Sequence, residues 1–312
     1  MDGIYLRLSV TSRCNLRCVY CRPETDCAAL EAPLTAAELD RLFMACAAAG
    51  PVRKLRFTGG EPLLRADIVE LVRAARRELP RAELCLTTNG LNLARHARDL
   101  KDAGLDRVNV SLDAADETAF AAMTRGGGFA DVIAGLEALH ETGLRPIKIN
   151  SVLMRGYNGG SLEALVDTAM RFDAVIRFIE LMPLGEGRAL WENERLPADE
   201  ALELLKSSME YLGPLERRGT AALHRFRKDG RTVEAGFITP VSHPFCGTCD
   251  RLRVDSTGRL FACLRRAEGT DLAPFLRSGD VEAVRDLLSR AWSGKGTPDG
   301  DWPALKMSAL GG

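Results

Sequence analysis

The sequence contains no apolar run of the roughly 18 to 20 residues that a membrane-spanning helix requires. Its opening, MDGIYLRLSVTSRC, lacks the basic region and apolar stretch of a secretory signal, so a cytoplasmic location is expected. Neither sign of charge is in surplus: 42 lysines and arginines stand against 43 aspartates and glutamates, a formal net charge of -1. That balance argues against a broad nucleic-acid-binding face, and an anionic ligand must then be met by a local cluster of positive charge. Low-complexity segments are missing, as are internal repeats beyond an alternation of strands and helices. The cysteines do not make a disulfide framework either: nine is an odd count, and clustered spacing in a signal-free chain favours metal binding. Six of them form two sets, Cys14, Cys18 and Cys21, then Cys246, Cys249 and Cys263, and each set lacks the fourth thiolate of a closed site. Three thiolates on a four-iron cluster leave one iron open to a reactant, which a complete tetrathiolate does not. Cys27, Cys46 and Cys85 have no metal role by spacing and read as ordinary structural positions.

What is present is a chain of 312 residues, 46% hydrophobic and 27% charged, long enough to bury a large core. Short β-branched runs at residues 4–10, 54–58, 83–88, 107–111, 147–153 and 175–180 alternate with helical patterns, among them 35–49 and 66–77. Thr35 and Glu38 have capping-box spacing. Six such units imply an α/β fold with a parallel sheet, curved into an incomplete (β/α)6 barrel over residues 1–185. A C-terminal region, 186–312, carries the second cysteine set. There 181–190 reads as loop, 199–211 as helix, 223–238 as a hairpin turning at Asp229 and Gly230, and 280–291 as a terminal helix. Ligands bind at the carboxyl ends of strands in such folds, and Cys14 to Cys21, Gly59-Gly60-Glu61-Pro62, Thr87-Thr88-Asn89-Gly90 and Ser111-Leu112-Asp113 all fall there.

The strongest signal is CNLRCVYC, with C-x3-C-x2-C spacing and an aromatic between the last two cysteines. Zinc sites more often pair C-x2-C with a second pair nearby. GGEP, one βα unit later, is a turn whose backbone can approach a ligand's amino group and whose acid can meet its charge. Together these segments resemble the cluster loop of the radical S-adenosylmethionine (SAM) enzymes. The resemblance implies that the amino and carboxylate groups of SAM chelate the open iron, and that an electron then cleaves SAM to methionine and a 5'-deoxyadenosyl radical. A lumen that excludes water is part of that chemistry. It also implies that Tyr20 sits against the adenine and that Gly60, Glu61, Ser111 and Met182 line the SAM site.

The second set narrows the resemblance. FCGTCDRLRVDSTGRLFACL has C-x2-C-x13-C spacing with Arg251 and Arg253 after the second cysteine. It is similar to the auxiliary-cluster segment of the GTP 3',8-cyclases of molybdopterin biosynthesis. LRLSVTSRC, KLRFTGGEPLLR, LTTNG, VNVSLD, PIKIN, RFIELMPLGEG and the final Gly311-Gly312 follow that family in order. The resemblance implies two [4Fe-4S] clusters, SAM, and conversion of GTP to (8S)-3',8-cyclo-7,8-dihydroguanosine 5'-triphosphate. The radical would take hydrogen from C3' of the ribose, and the carbon radical would attack C8 of a guanine held by the second cluster. GTP carries about four negative charges, which call for converging cations. By position these would be Arg7, Lys54, Arg56, Lys148, Arg177, Arg251 and Arg253, with Thr87 and Leu252 also at the nucleotide. Arg251, Arg253, Gly311 and Gly312 would act in catalysis, the two glycines reaching back into the site. Implied partners are an electron donor of flavodoxin or ferredoxin type and the next pathway enzyme, cyclic pyranopterin monophosphate synthase. The expected assembly is a monomer or homodimer, with neither nucleic acid nor membrane as a partner.

Two positions depart from the family pattern. Arg22 replaces the usual methionine after the first motif, and Asp250 stands where a neutral polar residue is usual, poised to pair with Arg251 and Arg253. His243 is either a fourth ligand to the second set or a solvated loop histidine. Two alternatives stay open on the residues alone: a peptide-maturing radical SAM enzyme, which typically carries more cysteines in a longer extension, and a zinc- or cluster-binding scaffold without turnover.

Overall fold

Apolar and polar residues alternate along each of the first six strands, and the alternation assigns their two faces. A computed structural model describes residues 3–22, 32–266, 268–296 and 302–303. Cys27, Gly311 and Gly312 lie outside them. The strands β1 (Ile4–Ser9), β2 (Val52–Thr58), β3 (Glu83–Thr88), β4 (Arg107–Ser111), β5 (Lys148–Leu153) and β6 (Val175–Glu180) pair in parallel in chain order. Leu6, Leu55, Leu84, Val110, Ile149 and Phe178 are buried outward, under the crossover helices. Their neighbours Arg7, Arg56, Asn109 and Arg177 line the inside.

The covering helices are α1 (Ala36–Ala49), α2 (Ile68–Glu78), α3 (Leu93–Asp102), α4 (Glu117–Thr124), α5 (Phe129–Thr142) and α6 (Leu162–Arg171). Thr35 and Glu38 form the capping box of α1: the Thr35 Oγ1 accepts from Glu38 N at 3.3 Å, and the carboxylate accepts from Thr35 N at 2.6 Å. Phe43 on α1 meets Phe57 on β2 edge to face at 6.3 Å, in the core between sheet and helices. α2 starts two residues later than its pattern suggests, because Arg65 pairs with Asp67 at 2.7 Å after the turn Pro62–Leu64. No helix among the described residues is long and apolar enough to cross a membrane.

Beyond β6 come α7 (Glu186–Glu194), α8 (Ala198–Ser208), β7 (Glu210–Arg218), β8 (Ala221–Lys228), β9 (Arg231–Ile238), β10 (Arg251–Val254), β11 (Arg259–Phe261), β12 (Thr270–Asp271), α9 (Ala273–Ser278) and α10 (Val281–Ser293). Two readings change here. Residues 186–194 are helical rather than loop, entered through Gly185 at φ 51°. The next helix stops at Ser208, since Tyr211 belongs to β7 and packs on Phe226 of β8 at 5.4 Å. Gly213 and Pro214 disguise β7 as a turn, yet it is the outermost strand, where proline is tolerated. The hairpin turns at Asp229 and Gly230 with φ 48° and 73°, both in the left-handed region a two-residue turn requires.

The twelve strands among the described residues form one sheet in the order β12-β11-β10-β1-β2-β3-β4-β5-β6-β9-β8-β7. β10 runs parallel to β1 with Arg253 opposite Arg7, and β9 runs parallel to β6 with Gly236 opposite Arg177. The last third of the chain thus lengthens the barrel wall at both edges. α10 packs on α1.

The GGEP turn is locked onto the first cysteine loop by its backbone. Gly60 N donates to Thr11 O and Glu61 N to Arg13 O, each at 2.7 Å. A Cβ on Gly60 would lie 2.2 Å from Arg13 O, which leaves room for glycine alone. Gly60→Ala is therefore expected to lower stability by about 1–3 kcal/mol and to reduce iron uptake at the first cysteine set. Thermal unfolding and iron content check this against Gly160→Ala, where a Cβ meets nothing within 4 Å and both should stay at wild-type values.

Candidate functional site

The polar inner faces enclose a cavity of about 840 Å³ that reaches from the first cysteine set to the second. Cys14, Cys18 and Cys21 follow the carboxyl end of β1, whereas Cys246 and Cys249 precede the amino end of β10. Because β1 and β10 are parallel neighbours, the two triads lie toward opposite ends of one lumen. All six thiols line it and are half-buried.

Burial raises the thiols of the first triad, Cys21 to about 12 and Cys14 and Cys18 upward, with neighbouring thiols adding to it at Cys18 and Cys21 and Glu61 at Cys14. A cationic metal group would reverse that balance by favouring thiolates. Among the described residues no three His, Cys, Asp or Glu side chains converge closely enough to hold a single ion. Both triads are all-sulfur sets in the cavity wall, and a four-iron cluster takes its thiolates on separate irons, which suits such a set. Cys46 and Cys85 are buried apart from both triads; Cys85 Sγ accepts from Arg107 Nη2 at 3.5 Å.

At the first triad, Glu61 is 1% exposed. Its carboxylate accepts from Leu63 N (2.9 Å), Thr88 Oγ1 (2.8 Å) and Asn89 N (2.7 Å). Burial holds it up at about 7 despite these donors. The acid lines the cavity and ties GGEP to β3, and the glycines serve close backbone packing. Tyr20 donates to Asp113 Oδ2 at 2.7 Å, and Asp113 Oδ1 accepts from Val152 N at 2.7 Å. Burial keeps Asp113 raised to about 6. With its hydroxyl engaged, Tyr20 offers the lumen its ring. Gly60, Ser111 and Met182 line the same end.

Between the triads lies a belt of cations. Cross-strand register places Lys54 beside Tyr5 and, one layer on, Arg56 beside Arg7, with Arg251 and Arg253 on the other flank of β1. Lys148 and Arg177 continue it on β5 and β6, and Thr87 accepts from Arg56 Nη1 at 3.1 Å. Glu83 takes up Lys54 (2.6 Å) and Arg107 (2.8 Å). The remaining guanidiniums face one another. Burial lowers Arg7 to about 10 and Arg177 to about 9, with neighbouring arginines adding to it, and drives Arg253 well down for the same reasons. Lys148 falls to about 7 through burial and the charges of Arg177, Arg107 and Lys54. Arg177 Nε and Arg251 Nη2 are buried with no hydrogen-bond partner among the described residues. Leu252 is the exception among the nucleotide candidates: it points out of the lumen and is fully buried in the core, since only alternate residues of β10 face inward.

At the second triad, Lys295 Nζ donates to Arg251 O and Ala262 O, each at 2.6 Å, pinning the strands that carry the cysteines. Phe245 lies against Arg251 at 4.9 Å and Trp302 against Arg265 at 5.3 Å. His243 bonds Asp199 at 3.0 Å, is 61% exposed and does not line the cavity, so the solvated reading holds. Asp250 pairs with Arg53, and Arg251 and Arg253 line the lumen. Arg22 donates to Ser12 O, bracing the cysteine loop.

Several lumen residues escaped the sequence reading. Tyr5 accepts from Arg56 Nε at 2.8 Å, and although burial pushes its phenol up, Arg56, Arg7 and Arg251 bring it down to about 8. Asn150 accepts from Arg177 Nη2 at 2.5 Å. Asn109, its amide oxygen turned inward, accepts from Arg56 and Arg177 at 2.7 Å each. The two-residue period of β1, β4 and β5 would have found these three, each two residues from a lumen residue, whereas nothing local marks Trp302.

Residues 8–169 match the Radical SAM superfamily and residues 174–298 the Molybdenum Cofactor Synthesis C family. The GTP 3',8-cyclase of Streptomyces coelicolor is 42% identical over 98% of this chain and 93% of its own. That of Paracoccus denitrificans is 43% identical over 92% and 85%. GTP 3',8-cyclase 1 of Pseudomonas aeruginosa is 44% identical over 92% and 89%. In architecture the chain is similar to Streptococcus suis SuiB bound to S-adenosylmethionine, with a TM-score of 0.65 at 14% identity, covering 92% of this chain and 68% of that one. This chain belongs to the GTP 3',8-cyclase family of the radical SAM superfamily.

Proposed function

We propose that the chain converts GTP to 3',8-cyclo-7,8-dihydro-GTP, the first step of molybdenum cofactor biosynthesis, with Cys14, Cys18 and Cys21 holding the SAM-binding four-iron cluster and Cys246, Cys249 and Cys263 a second one. When bound, these groups supply the radical that removes hydrogen from C3' and an open iron for the purine edge. The observation that carries the reading is the cation belt between two incomplete thiol triads. Seven lysines and arginines assigned to nucleotide by sequence position line one lumen, mutually repelling and desolvated. A triphosphate relieves both costs at once, and the unpaired Arg177 Nε and Arg251 Nη2 are donors aimed at it.

The protein's own part is to bind, orient and keep dry. Arg7, Arg56, Arg177 and Arg253 fix the phosphates, and Asn109 and Asn150 fix the guanidiniums. Holding the nucleotide at both its phosphates and its base brings C3' and C8 together, the proximity contribution to ring closure. Tyr20, Gly60, Ser111 and Met182 form the SAM end, with Glu61 positioning the turn. Gly311 and Gly312 complete the site from the C-terminus, and Trp302 already stands in the cavity wall.

Three outcomes test this. In Cys246→Ala, iron should fall by about half, 5'-deoxyadenosine should still form, and cyclised product should vanish; normal cyclisation would overturn the division of labour. A triphosphate favours protonated Lys148, so binding takes up a proton above pH 7, where the free side chain is largely neutral. GTP affinity should therefore weaken as pH rises through 7, by at most about tenfold per unit, and the extra slope should be missing in Lys148→Met when both are titrated calorimetrically. Removal of Gly311 and Gly312 should leave iron content and SAM binding intact and abolish product, as read by chromatography of single-turnover mixtures.

A further inference from the structure

The hydrogen-bond ladder between β10 and β11 is short. It pairs Val254 with Leu260 and Arg253 with Phe261, and it stops before Leu252 would meet Ala262 and Arg251 would meet Cys263. An ammonium stands where the ladder would continue: Lys295 Nζ donates to Arg251 O and to Ala262 O, one carbonyl on each side. Cys249 lies two residues before the first carbonyl and Cys263 directly after the second. Within the triad, Cys246 and Cys249 are spaced locally, by a turn in which Cys249 N donates to Cys246 O at 3.1 Å. Cys263 arrives from the other side of the hairpin, so its distance from those two depends on the separation that Lys295 spans. Arg41, Arg65 and Arg76 also bridge backbone carbonyls, but among the described residues none of those bridges joins segments that carry two cysteines of one triad.

We propose that Lys295 is the positioning residue of the second iron-sulfur site, setting the spacing of Cys263 from Cys246 and Cys249 and holding a positive charge beside their thiolates. The proposal rests on that triad holding the cluster proposed above. The ammonium is itself anchored from the helical layer: Lys295 N donates to Trp292 O at 3.4 Å at the end of α10, which packs on α1 and α9. Lys295 does not line the cavity, whereas Arg251 and Arg253 do, so a bound triphosphate offsets their charge and leaves that of Lys295 in place. An ammonium has three donors and the two carbonyls take two, which leaves one for a sulfur acceptor. A cation so placed stabilises the more negative, reduced form of a cluster and raises its potential.

The test uses the full chain carrying Cys14→Ala, Cys18→Ala and Cys21→Ala together, loaded anaerobically with iron and sulfide, so that iron reports the second triad alone. In this parent, Lys295→Met removes the charge and the donors at nearly the same length, and Lys295→Arg keeps both. Lys101→Met is the control, since its ammonium on α3 likewise donates to a carbonyl, that of Thr142. In Lys295→Met, transfer of iron to a bathophenanthroline chelator should run about tenfold faster. The equilibrium between oxidised and reduced cluster should shift about three- to tenfold toward the oxidised form, up to about 59 mV in a potentiometric titration followed by electron paramagnetic resonance. Lys295→Arg should restore the midpoint, and Lys101→Met should match the parent in both measurements. Should Lys295→Met unfold before it takes up iron, Lys295→Gln, which keeps a donor without the charge, is expected to show the same lowered midpoint. Iron release or a midpoint that stays at the parent's value in Lys295→Met, equal changes in Lys101→Met, or a midpoint in Lys295→Arg as low as in Lys295→Met would overturn the positioning role. A parent that takes up no iron would instead count against the second triad as a cluster site.

Discussion

Like charges held face to face inside a closed lumen are the constraint on which the rest of this structure depends. Guanidiniums repel, and removing them from water is costly unless something replaces the lost solvation. Within the free protein that replacement is partial. Tyr5, Thr87, Asn109, Asn150 and Glu83 accept some of the donors, and buried donors on Arg177 and Arg251 stay without one among the described residues. The lumen is thus organised around a ligand with several negative charges, and it retains its shape because the other face of every strand is anchored. Leu6, Leu55, Leu84, Ile149 and Phe178 hold the wall against the helices, so stability and binding are divided between the two sides of the same strands.

The two ends of the lumen solve different problems with the same ligand type. At the first triad the neighbours are carboxyls, Glu61 and Asp113, both raised by burial and both spent on internal hydrogen bonds. At the second they are guanidiniums and aromatic rings, Arg251 with Phe245 and Arg265 with Trp302. An iron-sulfur group would meet a tightly tied turn with two buried carboxyls in one place and a strongly positive wall in the other. That contrast in local field separates the two cysteine sets more sharply than their spacing does.

Much of this was legible in the residues. The six parallel strands fell within three residues of their patterns at either end because apolar alternation over five or six residues has few other readings, and Thr35 with Glu38 marked the start of α1 outright. Family position puts Leu252 among the nucleotide residues, whereas the period of two turns its side chain outward, where the structure has it. The motif alone points Glu61 at a ligand, and the structure adds that its carboxylate accepts three donors that hold the turn. β7, β10, β11 and β12 were invisible locally. They are short or broken by glycine and proline, and their existence depends on partners far away in sequence, such as Tyr5 for Arg251.

The placement of β10 beside β1 and β9 beside β6 means that the first and sixth strands find their outer neighbours only in the last third of the chain. During synthesis, Cys14, Cys18 and Cys21 leave the ribosome long before Arg251, Arg253 and Cys263 exist, so for most of translation the first triad belongs to an open sheet whose wall is unfinished. The enclosed, positive lumen comes into being late and all at once, by contacts of very long sequence separation. The chamber wall therefore has its full set of strands only once the last third of the chain is present.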